Sequence, residues 1–140
     1  MRVLDTLNRT IEYRYNEEGF LASVVDPFGR EVLYTYDNQK DLVAIRSPVS
    51  DEFPGGKTTR YAYSGGLLEP KLNHNLTMIM DPKGQVYLKN IYGSEEEEKD
   101  KITAQLFGGQ ESQQMRVSYK ALKPSKEGIN IPVSKTTLSQ

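Results

Sequence analysis

An all-β fold of stacked antiparallel β-hairpins is the expectation for this chain, and three observations predict it. The first is an internal repeat with a fixed offset of 21 residues. The second is short runs with the period of two that marks a half-buried strand. The third is punctuation by Gly, Pro, Asn and Asp every few residues, which leaves no window longer than about ten residues for an uninterrupted helical period.

The repeat is read by setting residues 5–27 against 26–48. Asp5 and Arg9 match Asp26 and Arg30, Tyr13 matches Tyr34, Tyr15 matches Tyr36, and Asn16 matches Asp37. Leu21 matches Leu42, Val24 matches Ile45, and Pro27 matches Pro48. So many coincidences at one offset establish a repeat. Within the first unit, TIEYRYN places Ile11, Tyr13 and Tyr15 on one face and Glu12 and Arg14 on the other. Asn16 to Gly19 supply the turn, with Gly free to take a positive φ. LASVV returns as a β-branched strand, and Asp26-Pro27 ends it because proline has no N–H to continue a ladder.

Insertions then lengthen the pattern. Gly56-Lys57 precedes Tyr61-Ala62-Tyr63, the third Tyr-x-Tyr, after extra residues around DEFPGG. LTMIMDPKG (76–84) repeats LASVVDPFG (21–29) register for register, so Asp81, Pro82 and Gly84 correspond to Asp26, Pro27 and Gly29. Asn90-Ile91-Tyr92-Gly93 stands where the next Tyr-x-Tyr-Asp would fall. The repeats thus occupy 1–120, with units near 5–27, 26–48 and 56–82 and a weakened unit over 84–119. Residues 121–140 form a tail without a defensible repeat, expected to be irregular or an edge strand.

A unit of this length cannot bury its own apolar face, and stacking neighbours supplies the missing contacts. Equal spacing is expected to line Tyr13, Tyr34 and Tyr61 into a row with cross-strand aromatic pairs, each contributing roughly 0.2–1 kcal/mol. Tyr13, Tyr15, Tyr34, Tyr36, Tyr61, Tyr63 and Tyr92, with the two Asp-Pro-x-Gly turns, are the structural positions of the repeat. Unpaired edges of such an array invite pairing with more chain, so further repeats of the same or a larger chain are expected partners.

Composition bounds the function. With 140 residues the chain is one domain or a piece of a larger protein. Eighteen basic against 19 acidic residues leave a net charge of −1, which argues against nucleic acid as the main partner. There is no cysteine and a single histidine, which excludes disulfides, thiolate metal sites and multi-histidine sites. No apolar run approaches the roughly 20 residues of a membrane span, so membrane insertion is not expected. MRVLDTLNRT lacks the apolar core of a secretion signal. No cofactor is implied.

Site-like features have plainer readings. Both Asp-Pro steps sit where the repeat needs a strand-ending turn. His74 is of a type that serves as a general base, yet no Ser or Cys partner accompanies it, and it lies in an insertion. EEEEKD (95–100) lacks the alternating spacing and Gly of a calcium loop and reads as a solvated connection. Gly55-Gly56-Lys57-Thr58-Thr59 has the ending of a phosphate loop, but Asp51 stands where its first Gly belongs and no helix follows. Beyond residue 115 the chain has five basic residues against Glu127 alone, an ordinary spread over 25 positions. No catalytic residue emerges, and a non-enzyme is expected. Tyrosine faces also stack on sugars, so an adhesive or carbohydrate-binding module is the alternative.

Tyr-x-Tyr-Asn/Asp, a Gly turn, Leu-x-x-Val/Ile and Asp-Pro-x-Gly-Arg together resemble the YD-repeat or Rhs-repeat family. YRYNEEGFLASVVDPFGR (13–30) is close to a full family unit and YTYDNQKDLVAIRSP (34–48) is a second. LNHNLTMIMDPKGQVYLKNIYG (72–93) resembles the variant unit of long members. The resemblance covers roughly residues 2–119. It implies a β-strip spiralling into a hollow shell, used in bacterial members to enclose a toxin polypeptide and in related animal cell-surface proteins for adhesion. It also implies a secreted or cell-surface location. Two departures stand out: Lys40 replaces the turn Gly of the second unit, and Ser47 replaces the Asp before Pro48. Both turns are therefore expected to be looser than the first. The Asn-Asn-Pro element of self-cleaving members is absent, so no protease activity is carried over.

Overall fold

Strands hydrogen-bonded in chain order make up the structure, a computed structural model that describes residues 1–95, 98–110, 113–122 and 133–139. The strands are β1 (Arg2–Leu4), β2 (Thr10–Tyr15), β3 (Leu21–Val25), β4 (Glu31–Tyr36), β5 (Leu42–Arg46), β6 (Thr58–Tyr63), β7 (Leu76–Met80), β8 (Val86–Tyr92), β9 (Ile102–Phe107), β10 (Gln114–Leu122) and β11 (Val133–Ser139). The helical content of the described residues is one 3₁₀ turn, Pro70–Leu72, in the insertion before β7. The all-β expectation holds, and its reason is local: each apolar run is cut by a turn signal before a helix could nucleate.

Two units divide the chain, residues 1–62 with 79–85, and 63–78 with 86–140. In the first, β1 to β6 pair antiparallel one after another, with registers such as Val3↔Ile11, Tyr13↔Val24, Val24↔Val32, Tyr34↔Ile45 and Ile45↔Thr59. In the second, β8 pairs with β9, β9 with β10, and β10 with β11, the last from Arg116↔Ser139 to Leu122↔Val133. Residues 123–132 of the tail, which include Glu127, and Glu96 and Glu97 of the acidic run lie outside the described residues.

Burial is thin in both units. Among the described residues only Ser23 in the first unit, and Asn90, Ala104 and Leu106 in the second, are buried. The strands are held by ladder hydrogen bonds and half-buried side chains rather than by a packed second layer.

At the end of β2 the pairing slips from Arg14↔Ser23 to Tyr15↔Leu21, with Ala22 of β3 as the extra residue, and Tyr15 is 52% exposed. Two expectations are corrected, one on the tyrosine row and one on the Lys40 turn. The tyrosine row has no cross-strand Tyr–Tyr pair: Tyr13 faces Val24 and Tyr34 faces Ile45. A two-strand repeat sends each corresponding tyrosine two strands along, about 10 Å away at the usual strand spacing. The Lys40 turn is not looser than the others, for reasons seen in its hydrogen bonds.

Candidate functional site

The repeat loops and the strand faces

One loop recurs at the strand ends. At Asp26 the carboxylate Oδ1 accepts the N–H of Phe28 and of Arg30, each at 2.9 Å. The Gly29 N–H donates to the Asp26 carbonyl at 3.0 Å, and the Asp26 N–H to the Arg30 carbonyl at 3.0 Å. Gly29 takes φ 77°, in the left-handed region. This is a three-residue hairpin loop, a β-turn followed by a left-handed bulge residue, with the Asx side chain holding the turn.

The same bonds are made around Asp81, whose Oδ1 accepts from Lys83 and Gln85, and around Asp5, whose Oδ1 accepts from Leu7 and Arg9. At Asp37 the pair recurs, from Gln39 and Asp41, and at Asn16 the second of the two is made, Phe20 donating to Oδ1. Left-handed residues close all five: Asn8, Gly19, Gly29, Lys40 and Gly84. Lys40 adopts φ 73°, and its N–H donates to the Asp37 carbonyl at 3.0 Å, the length found at Gly29. The carboxylate grip thus fixes the loop without glycine, at a backbone cost. Where Ser47 stands, the connection is longer instead, and Ser47 Oγ accepts the Lys57 N–H at 2.9 Å.

These loops show a half-repeat that the offset of 21 conceals. Asp5, Asn16, Asp26 and Asp37 follow one another at 11, 10 and 11 residues, one per strand. The two turns of each unit, Asn16-to-Gly19 and Asp26-Pro27-Phe28-Gly29, are the same structure. Asx followed three residues later by Gly, Asn or Lys is the sequence signal that could have found it.

The Tyr-x-Tyr pairs have divided roles. The first tyrosine packs across the ladder on a β-branched partner, as at Tyr13 and Tyr34. The second sits at a bulge, between Arg14 and Tyr15, Thr35 and Tyr36, and Ile91 and Tyr92. The Tyr36 ring meets Phe20 with centroids 5.1 Å apart. Tyr61 and Tyr63 lie half-buried in β6. In the second unit Asn90 takes the first-tyrosine place and is buried: its Nδ2 donates to the Leu76 carbonyl at 2.8 Å, and its Oδ1 accepts from Gln105 at 3.0 Å. The Tyr92 hydroxyl donates to the same carbonyl at 3.0 Å, and burial holds its pKa above the usual phenol range.

Directly opposed residues share a face, so the first unit has two unlike faces. One carries Val3, Ile11, Tyr13, Val24, Val32, Tyr34 and Ile45. The other carries Arg2, Glu12, Arg14, Glu31, Arg46 and Arg60, interleaved with Val25, Ser23, Leu33 and Ala44. On it, Arg2, Glu12, Arg14 and Glu31 form a chain of ion pairs at 3.7, 3.2 and 3.1 Å. Such surface pairs stabilise little.

The other candidates are placed as follows. His74 takes φ 71°, and its N–H donates to the Ser64 carbonyl in the insertion before β7. Gly56-Lys57-Thr58 lead into β6, and the N–H groups of Gly56 and Lys57 are spent on the Phe53 carbonyl and Ser47 Oγ, which leaves neither free to cradle a phosphate. Among the described residues no group of three or more potential metal ligands converges, and no helix is long and apolar enough to cross a membrane.

Fold and loops together define a β-hairpin repeat protein. Residues 15–52 match the RHS Repeat family, a span that starts at the second tyrosine of the first Tyr-x-Tyr and runs through the loops of Asn16, Asp26 and Asp37. This segment is similar to an Rhs/YD repeat. No curated protein matches the chain.

Proposed function

We propose that the chain is a non-enzymatic wall segment of an Rhs-like shell, whose work is to enclose a toxin or other polypeptide cargo. The observation that supports this most is the half-buried apolar face of the first unit. A strip of Tyr, Val and Ile on one face backs onto a face that carries the ion pairs of Arg14, and no residue of the strip is fully buried. An apolar sheet face calls for a cover, and a wall that holds a polypeptide receives one. The Asx loops set strand ends at equal intervals, as a wall that adds strand after strand requires. A secreted or cell-surface setting goes with this reading.

The test is titration with a permanently unfolded polypeptide, reduced and alkylated α-lactalbumin, in the presence of a hydrophobic dye. Saturable binding that displaces the dye, and that falls with Tyr34→Ser while circular dichroism is unchanged, is the expected result. A chain that ignores unfolded polypeptide but is retained on immobilised oligosaccharides would favour the adhesive, carbohydrate-binding alternative.

A further inference from the structure

We propose that the rim of the first unit where β6 begins is a docking groove for an acidic peptide segment of a partner polypeptide. A cleft of about 430 Å³ opens there between the 47–57 connection and the Asp81 loop. Lys57, Arg60 and Lys83 line it, against one carboxylate, Asp81. Arg46 lies beside them, directly opposite Thr58 of the cleft wall. Asp51 and Glu52, in the same connection, do not line the cleft.

These cations lack the partners that the rest of the unit provides. Arg2, Arg9, Arg14 and Arg30 are all ion-paired, to Glu12, Asp5, Glu12 with Glu31, and Asp26. Arg46, Arg60 and Lys83 have no ion pair among the described residues, and Lys57 has only the Phe53 ring, 3.7 Å from its Nζ. A chain with net charge −1 therefore concentrates unpaired positive charge at one place. A local surplus of this kind selects partners by complementarity.

The details favour peptide carboxylates over other anions. A compact phosphoryl group wants convergent backbone N–H donors, and those of Gly56 and Lys57 are already used. A single-stranded nucleic acid wants a bare aromatic platform, and the Phe53 ring is covered by Lys57. The cations come from separate elements of an open rim. Carboxylates on one side of an extended peptide, roughly 7 Å apart, suit that spread. Phe28 and Val49, exposed on the same rim at 76 and 63%, offer apolar contacts beside the charges.

The experiment is fluorescence anisotropy of a fluorescein-labelled oligoglutamate peptide with the full chain. Salt-sensitive binding is expected, weakened about tenfold or more by Lys57→Glu with Lys83→Glu and unchanged by Lys40→Glu, in the loop at the other end of β5. Lys83→Glu alone changes only an exposed loop side chain, so it gives a readable intermediate loss if the double variant fails to fold. Equal affinity in wild type and the Lys83→Glu variant would overturn the proposal. So would tighter binding of a single-stranded oligothymidylate, or full displacement of the peptide by low-millimolar inorganic phosphate.

Discussion

Exchanging the residues at the left-handed loop position measures how much of each turn is held by the Asx side chain and how much by glycine. Lys40 sits at φ 73° and Gly19 at φ 86°, in loops with the same hydrogen bonds. A left-handed backbone costs a residue with a Cβ about 1–2 kcal/mol. Glycine returns about 0.5–1 kcal/mol of that through the extra freedom of the unfolded chain. The Lys40 ammonium, 5.9 Å from the Phe20 ring, contributes about 0.5 kcal/mol at most. Lys40→Gly is thus expected to stabilise by about 0.5 kcal/mol, and Gly19→Lys, which meets no neighbour within 4 Å, to destabilise by about 1 kcal/mol. Urea unfolding followed by circular dichroism reads both as shifts of midpoint at constant slope. A Lys40→Gly variant less stable than wild type would refute the reasoning, because the side chain and not the backbone would then govern that loop.

The remaining expectations concern three other places. Gly56 combines φ 71° with a Cβ position 2.5 Å from the Ser47 carbonyl oxygen, so Gly56→Ala should cost about 2–4 kcal/mol, against about 1 kcal/mol for Gly29→Ala, which has open space; comparable thermal melts for the two variants would contradict this. Asn90→Ala removes a buried amide that serves Leu76 and Gln105 and should cost about 1–3 kcal/mol, read by the same urea titration. The Arg9 N–H and guanidinium hold the Asp5 carboxyl below the usual range, and at Asp26 burial pushes upward but the Arg30 and Phe28 bonds outweigh it. Both folded values lie below the unfolded one, so their stabilisation is present above pH about 4 and is lost as pH falls through the folded values. Asp5→Asn with Asp26→Asn should flatten the melting temperature between pH 5 and 2 while keeping the loops, since Asn16 supports the same loop. An unchanged acid slope would locate the titration elsewhere.

Much of the architecture was legible in the sequence because strand and turn chemistry are local. TIEYRY carries a strand period and LASVV is rich in β-branched residues, each bounded by turn signals, and both are strands at those places. Less legible was what depends on registers. The offset of 21 matched Tyr13 to Tyr34, but a two-strand repeat separates matched residues by an intervening strand, so their partners are Val24 and Ile45. The bulges at Tyr15, Tyr36 and Tyr92 follow from loop geometry, which no single residue type announces. Lys40 appeared as a defect because glycine is the usual left-handed residue, whereas the Asp37 carboxylate supplies the restraint. The cationic cleft was illegible for a different reason: Arg60 and Lys83 are far apart in sequence and meet only through the strand order.

The central claim, a meander in which each repeat is two strands and matched tyrosines stand two strands apart, is tested most directly by nuclear Overhauser contacts in the isotope-labelled chain. Cross-strand contacts of Tyr13 with Val24, Val24 with Val32, and Tyr34 with Ile45 are the expected result. Direct backbone contacts between the strands of Tyr13 and Tyr34, with none from either to Val24, would contradict it.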